Sequence, residues 1–408
     1  MDEIQNAKRY EGIDAMKKML ILNGSHSEIP LILEAKKLGY YTVTTGNNKG
    51  LIGHRYSDEY IYGDYSDKDE MLHIAKDQKV DAVCSCANDF GAISASYVAE
   101  KLGLPGHDSY KTALLLHQKD NFKVFAKENR IQTPMADIFT DLKGASEKKD
   151  ACKYPKIVKP VDLTGGKGVS VVTDASEYMQ AVRKALNMSR KGKAVVEDYI
   201  KGTYHSFSTF LVNRKVVAFF SDNEYPYLNP YFVATSGGPA RNVDKVKGIL
   251  LRQAELIAKK LSLVNGVFHM QYVMGSDLIP YIIDITRRCS GDIYVEPVEH
   301  ATGIPWAKWI VMSEAGFPGS AYTERGCQQK YCGRHCIMAR QNGRIQKVEI
   351  ADELEKNIYS RIYWWKKGDI VSNYLVDKLG IVFLEYGSEE EMIEKSERIG
   401  SLIKVFVE

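Results

Sequence analysis

The sequence predicts an α/β protein of more than one unit, on three observations. Short apolar runs alternate with helical patterns through the first quarter of the chain, two β-patterned runs flank a glycine-rich loop at 164–168, and β patterning dominates from about Thr323 onward. With 408 residues, 44% of them hydrophobic, the chain has material for roughly two to four units of ordinary size.

The order of elements explains the first unit. After an extension over residues 1–16, an apolar run from Lys18 to Leu22 is followed by a helical pattern through Leu38, a break at Gly39 and a second β run from Tyr41 to Thr45. Tyr60 to Tyr62, a helix over 67–78, Ala82 to Cys84 and a helix over 92–102 continue the alternation. Strands separated by helix-length segments pair in parallel through crossover helices. The turn after the first strand offers one glycine, Gly24, where a dinucleotide fingerprint needs three, which argues against such a cofactor there.

A helix from about Ser109 to Asn129 ends before Pro134. The glycine loop follows: Thr164, Gly165, Gly166, Lys167 and Gly168 lie between Lys156–Lys159 and Val169–Val172, so the loop is a hairpin tip and not the strand-to-helix turn of a Walker motif. Such a tip can lay backbone N–H groups over a polyphosphate, with Lys167 adding charge. A helix over 175–188, a run from Lys193 to Gly202 and β runs over 206–212 and 215–220 come next, while Thr235 to Arg241 reads as a loop without regular period. After a helix over about 246–261, two strands joined by Gly275-Ser276-Asp277 form a second hairpin. Period-two alternation sets Asp284, Thr286 and Arg288 on one face of it, and His269 and Gln271 on one face of the partner strand. If those faces coincide, Gln271, Asp284 and Thr286 are oxygen ligands suited to Mg²⁺, with Arg288 beside them.

Net charge excludes other classes. Lys and Arg number 55 against 52 Asp and Glu, and no basic cluster interleaved with aromatics tracks a nucleic acid. No apolar run spans a membrane and the start lacks signal-peptide order, so a cytoplasmic protein is expected. Seven cysteines fit a reducing compartment. The spacing of Cys327, Cys332, His335 and Cys336 matches no standard zinc site and favours ordinary thiols.

In this order the segments resemble the ATP-grasp superfamily, closest in layout to L-amino-acid ligases, biotin carboxylases and carbamoyl-phosphate synthetases. The resemblance implies an N-terminal Rossmann-like domain (17–115), a two-lobed α+β ATP-binding core (116–322) with a mobile lid at about 134–198, and a small β-rich closing domain (323–408). It implies ATP contacts from Lys119, Lys159, the loop 164–168, the hinge Glu197, Asp198, Tyr199 and Ile200, and His205 near the ribose. It also implies Mg²⁺ or Mn²⁺ on Gln271, Asp284 and Thr286, although Asp284 and Thr286 stand where the family has glutamate and asparagine. Arg288 would stabilise an acyl phosphate, and Arg241 is a candidate grip for a substrate carboxylate. Asp292, Glu296 and Glu299 are candidates for the base, and Tyr225, Tyr227 and Tyr231 for the acceptor site. The implied activity is a carboxylate-amine ligase with small-molecule acid and amine substrates, in a family with many dimers. A phosphotransferase, or a nucleotide-binding subunit without turnover, is the alternative.

Overall fold

The computed structural model describes residues 16–324, 326 and 330–408; the expected N-terminal extension lies, apart from Met16, outside them. The first unit contains β1 (Lys18–Leu22), α1 (Ile29–Lys37), β2 (Tyr41–Gly46), β3 (Glu59–Tyr62), α2 (Lys68–Gln78), β4 (Ala82–Cys84) and α3 (Asp89–Leu102). The strands form a parallel sheet of order β3-β2-β1-β4. Both faces of β1 are buried, as helices on each side of a parallel sheet require. Side-chain caps from Asp67 and Asn88 start α2 and α3, and left-handed Lys79 and Gly103 end them.

The single helix expected over 109–129 is two helices, α4 (Tyr110–His117) and α5 (Lys119–Glu128). Gln118 between them is extended at φ −111°, ψ 120°. Tertiary bonds hold the break: Lys119 N–H donates to the Val161 carbonyl at 3.0 Å, and Lys191 Nζ donates to Gln118 Oε1 at 2.7 Å. The hydrophobic period runs through the break and so conceals it.

A four-stranded antiparallel lid sheet follows, made of β5 (Ala136–Phe139), α6 (Leu142–Lys148), β6 (Lys156–Pro160), β7 (Ser170–Val172), α7 (Ala175–Met188) and β8 (Ala194–Asp198), in order β5-β8-β6-β7. Tyr178, Val182 and Ala185 of α7 pack on Val158, Val172 and Val196. The glycine loop links the antiparallel pair β6 and β7.

The remaining large sheet begins with β9 (Gly202–Val212), β10 (Lys215–Pro226), β11 (Val233–Gly238), α8 (Val243–Lys260), β12 (Gly266–Gly275) and β13 (Pro280–Thr286). After α9 (Val295–Thr302) and α10 (Trp306–Glu314) come β14 (Tyr331–Ile337), β15 (Gly343–Ile350), α11 (Asp352–Glu355), β16 (Ile358–Tyr363), β17 (Ile370–Val371), β18 (Gly380–Tyr386), α12 (Glu389–Glu397), α13 (Ile399–Leu402) and β19 (Ile403–Val407). Eight strands form one sheet, β13-β12-β9-β10-β11-β14-β18-β16. It continues across the boundary expected at 323, because β11 pairs with β14. Its core combines Met19 and Leu31 of the first unit with Phe210, Trp306, Trp309, Cys336 and Ile381.

Strand β11 corrects the first part of the loop expected at 235–241, from Thr235 to Gly238. Its small residues carry no hydropathy signal, yet packing demands them: a Cβ on Gly238 would lie 2.5 Å from Phe220 Cζ and 2.6 Å from the Ser221 carbonyl. No helix of the described residues is long and apolar enough to cross a membrane.

Candidate functional site

Between the lid sheet and the eight-stranded sheet lies a cleft of about 430 Å³, within the usual range for small-molecule sites. One wall is the lid. Lys119, the first residue of α5, donates from Nζ to the Leu163 carbonyl at 3.0 Å and sits 3.8 Å from Asp284. Burial opposes its charge, but Asp284 and Asp89 keep its pKa above the ordinary lysine value. Lys159 and residues Thr164 to Lys167 line the same wall. Gly165, Gly166 and Gly168 all have left-handed φ, at 64°, 72° and 75°. The loop rests on Tyr231: a Cβ on Gly166 would lie 2.5 Å from Tyr231 Cβ, and Val171 N–H donates to Tyr231 Oη at 3.3 Å.

The opposite wall is the strand face of β10, β12 and β13 with the segment after it. Gln271 and Asp284 are register partners, as are His269 and Thr286, and all four line the cleft with Arg288. Arg288 Nε donates to Asp89 Oδ1 at 2.7 Å, and Asp89 is also 3.2 Å from His117 Nδ1. A residue of the first unit thus fixes the guanidinium. Thr286 Oγ1 is buried without a hydrogen-bond partner.

Several expected residues sit elsewhere. Glu197 is 1% exposed, and its Oε2 lies 3.2 Å from Lys123 Nζ and 3.4 Å from Lys159 Nζ. Burial raises its pKa, but the two lysines outweigh that and hold it below the ordinary glutamate value. Its side chain is therefore the counter-ion of Lys123 on α5 and Lys159 in the lid. Asp198 pairs with Lys156 at 2.5 Å, Tyr199 N–H donates to the Pro155 carbonyl at 3.3 Å, and Tyr199 and Ile200 join β8 to β9, lid to floor. His205 requires a correction, since it does not line the cleft. Strand alternation gives Tyr204 to the cleft and turns His205 onto Tyr272, with ring centroids 5.0 Å apart. Arg241 is exposed and outside the cleft, with its backbone N–H on Asn223 Oδ1.

Among the candidate bases, Asp292 lines the cleft but is clamped by His26, Arg334 and Lys378. Burial opposes ionisation, yet Lys378, His26 and Arg334 hold its carboxyl well below the usual carboxylate range. A carboxylate so paired is a poor proton acceptor. Glu296 and Glu299 lie on α9 outside the cleft; burial pushes Glu299 up to about 7 while its Oε1 accepts from Ala307 N–H. Of the tyrosines, Tyr231 lines the cleft, whereas Tyr227 stacks edge-on against His335. Cys332 and Cys336 share one face of β14 and His335 takes the other, with Nδ1 2.7 Å from Thr235 Oγ1; Cys327 lies outside the described residues.

Sequence reasoning missed Glu224 and Arg334. Glu224 lines the cleft, and burial with the nearby charge of Asp222 raises it to about 8. Asp222, at 1% exposure, bonds Tyr294 and Ser206 beneath it. Arg334 is buried on β14 and reaches Asp292. The available signals were Asp222 and Glu224 at alternate positions after an apolar run, and one arginine inside the run from Tyr331 to Ile337. Among the described residues no three His, Cys, Asp or Glu side chains gather at metal-binding spacing. The oxygen set of Gln271, Asp284 and the unpartnered Thr286 hydroxyl nevertheless fits Mg²⁺, which retains waters and takes further ligands from phosphates.

Residues 117–230 match the family model of the phosphoribosylglycinamide synthetase ATP-grasp (A) domain. The chain is 23% identical over 291 residues to the carbamoyl phosphate synthase large chain of Clostridium acetobutylicum, covering 68% of this chain and 26% of that protein. It is 27% identical over 226 residues to the phosphoribosylamine–glycine ligase of Pyrococcus furiosus, covering 52% and 49%. The match thus spans about a quarter to a half of these curated relatives' length. A solved L-amino acid ligase from Bacillus licheniformis superposes with a TM-score of 0.79 at 18% identity, over 96% of this chain and 99% of that one.

Proposed function

We propose, from the match of residues 117–230 to an ATP-grasp domain model and the fold shared with a solved L-amino acid ligase, that this chain belongs to the ATP-grasp superfamily and is an ATP-dependent carboxylate-amine ligase. The observation that carries this reading is one cleft with Lys119, Lys159 and the glycine loop on one wall, and Gln271, Asp284, Thr286 and Arg288 on the other. Phosphoryl transfer is mostly positioning and neutralisation of charge spread over the phosphate oxygens. Lys119, Lys159 and Lys167 with the loop amides bind the polyphosphate. Bound at Gln271, Asp284 and Thr286, Mg²⁺ would neutralise phosphate charge.

A carboxylate oxygen of the acid attacks the γ-phosphorus, the bond to the β-phosphate oxygen breaks, and ADP leaves. The amine then attacks the acyl carbon, phosphate departs, and the nitrogen loses a proton. Arg288, held by Asp89 at 2.7 Å, grips the acyl phosphate and the tetrahedral adduct, because a guanidinium donates to two oxygens at once. Arg334, buried in the same cleft, takes the carboxylate-binding part first considered for Arg241. The names of the relatives, both carbon–nitrogen bond-forming enzymes, support the reaction class.

The test is incubation with ATP, Mg²⁺ and a matrix of carboxylic acids, with hydroxylamine as trap. Acid-dependent ADP with hydroxamate is the expected result. Phosphate retained on a stable product would make the protein a kinase, and no ADP with any acid would sink the enzyme reading for those acids.

A further inference from the structure

Four carboxylates line the cleft, and three of them face a cation. Asp89 pairs with Arg288, Asp284 with Lys119, and Asp292 with His26, Arg334 and Lys378. Among the described residues Glu224 forms no ion pair. Its two oxygens accept from Gln271 Nε2 at 2.9 and 2.8 Å. Gln271 is in turn the register partner of Asp284, so β10, β12 and β13 bring carboxylate, amide and carboxylate into one continuous group. An independent observation points to a ligand in the same place: Thr286, 5% exposed, lines the cleft with its hydroxyl oxygen buried and unpartnered.

We propose that Glu224 is an oxygen ligand of the divalent cation, supplying from β10 what the short side chains of Asp284 and Thr286 do not reach from β13. The inference rests on the metal reading of Gln271 and Asp284 given above. Charge decides between cations. Ionised together, Glu224 and Asp284 would carry two negative charges, with Lys119 3.8 Å from Asp284; a divalent ion offsets both and so favours the ionised form of Glu224, whereas a substrate ammonium offsets one. Gln271 does not obstruct the arrangement, because rotating its amide exchanges nitrogen for oxygen in nearly the same volume.

The experiment is a titration of Mn²⁺ in the presence of ADP, read by electron paramagnetic resonance, for the wild type, Glu224→Gln and Asp284→Asn, with metal-free ADP binding and melting curves alongside. Glu224→Gln is expected to weaken Mn²⁺ binding at least about tenfold and to leave metal-free ADP binding within about twofold of the wild type. Wild-type Mn²⁺ affinity in Glu224→Gln overturns the inference whatever Asp284→Asn does. Weak binding in Glu224→Gln with unchanged binding in Asp284→Asn keeps Glu224 and removes Asp284 from the metal site proposed above. If Glu224→Gln does not fold, Glu224→Asp carries the test. It keeps the charge, loses one methylene of reach, and should weaken Mn²⁺ about threefold or more; unchanged affinity there overturns the inference.

Discussion

The lid wall of the cleft draws Lys159 and the glycine loop from one hairpin and adds Lys119 from the start of α5, whereas the opposite wall gathers Glu224, Gln271, Asp284, Arg288, Asp292 and Arg334 from four strands and a connecting segment. Lys159 of the lid has a buried counter-ion in the lid sheet itself, Glu197, which also pairs with Lys123 of α5. The floor's charges are compensated across units instead, Asp89 to Arg288 and Asp292 to His26, Arg334 and Lys378. The Lys159–Glu197 pair is internal to the lid sheet, while Glu197 to Lys123 anchors that sheet on α5. The floor cannot shift without breaking pairs to the first unit and to β14, which suits it to hold groups in fixed geometry.

The largest effect should come from the floor. Asp284→Asn is expected to lower ADP formation by about 10²-fold or more with an unchanged melting curve, and near-wild-type turnover would move the chemistry off this wall. The lid's counterpart is a stability effect: Glu197→Ala leaves Lys123 and Lys159 buried without their partner, at a cost of about 3–5 kcal/mol. Urea denaturation measures it, and a cost below about 1 kcal/mol would mean that these lysines do not depend on Glu197. Gly166→Ala adds a Cβ at φ 72° and 2.5 Å from Tyr231, which at about 1–3 kcal/mol of strain should raise the KM for ATP about tenfold, while affinity for the acid changes little.

Acid tests the sheet beneath both walls. Burial holds His205 down to about 4 and His335 to about 3, against an ordinary 6.5. Between those values the unfolded chain binds protons that the folded one refuses, so these groups make stability fall as pH drops below about 6.5 and stop contributing near 3 to 4. The melting temperature should fall less from pH 7 to pH 5 in His335→Gln than in the wild type; equal falls would contradict its burial as a neutral ring. The smallest effect is expected from Arg241→Ala, which should change no substrate's KM by more than about twofold, because Arg241 is exposed outside the cleft. A large change there would return the substrate grip to Arg241.

Lid residues were legible because the hairpin keeps Lys159 and Thr164 to Gly168 within a few positions, and glycines with positive φ announce themselves in composition. Gln271, Asp284 and Arg288 were legible because one short turn fixes the register of β12 and β13. His205 was misplaced by one residue, which in a strand reverses the face. Gln118 and β11 escaped since a helix break held by Val161 and Lys191 leaves no local mark, and a strand of small residues carries no period.

By itself the sequence determined the order of most elements, the parallel first sheet and the glycine-tipped hairpin, all set by local periodicity and turn chemistry. Only the tertiary structure decided that Glu197 pairs with Lys123 and Lys159, that Asp292 is clamped by Arg334, Lys378 and His26, and that Glu224 and Arg334 face the cleft. Charge pairing inside a low-dielectric cleft depends on which distant strands become neighbours, and no spacing along one strand records that.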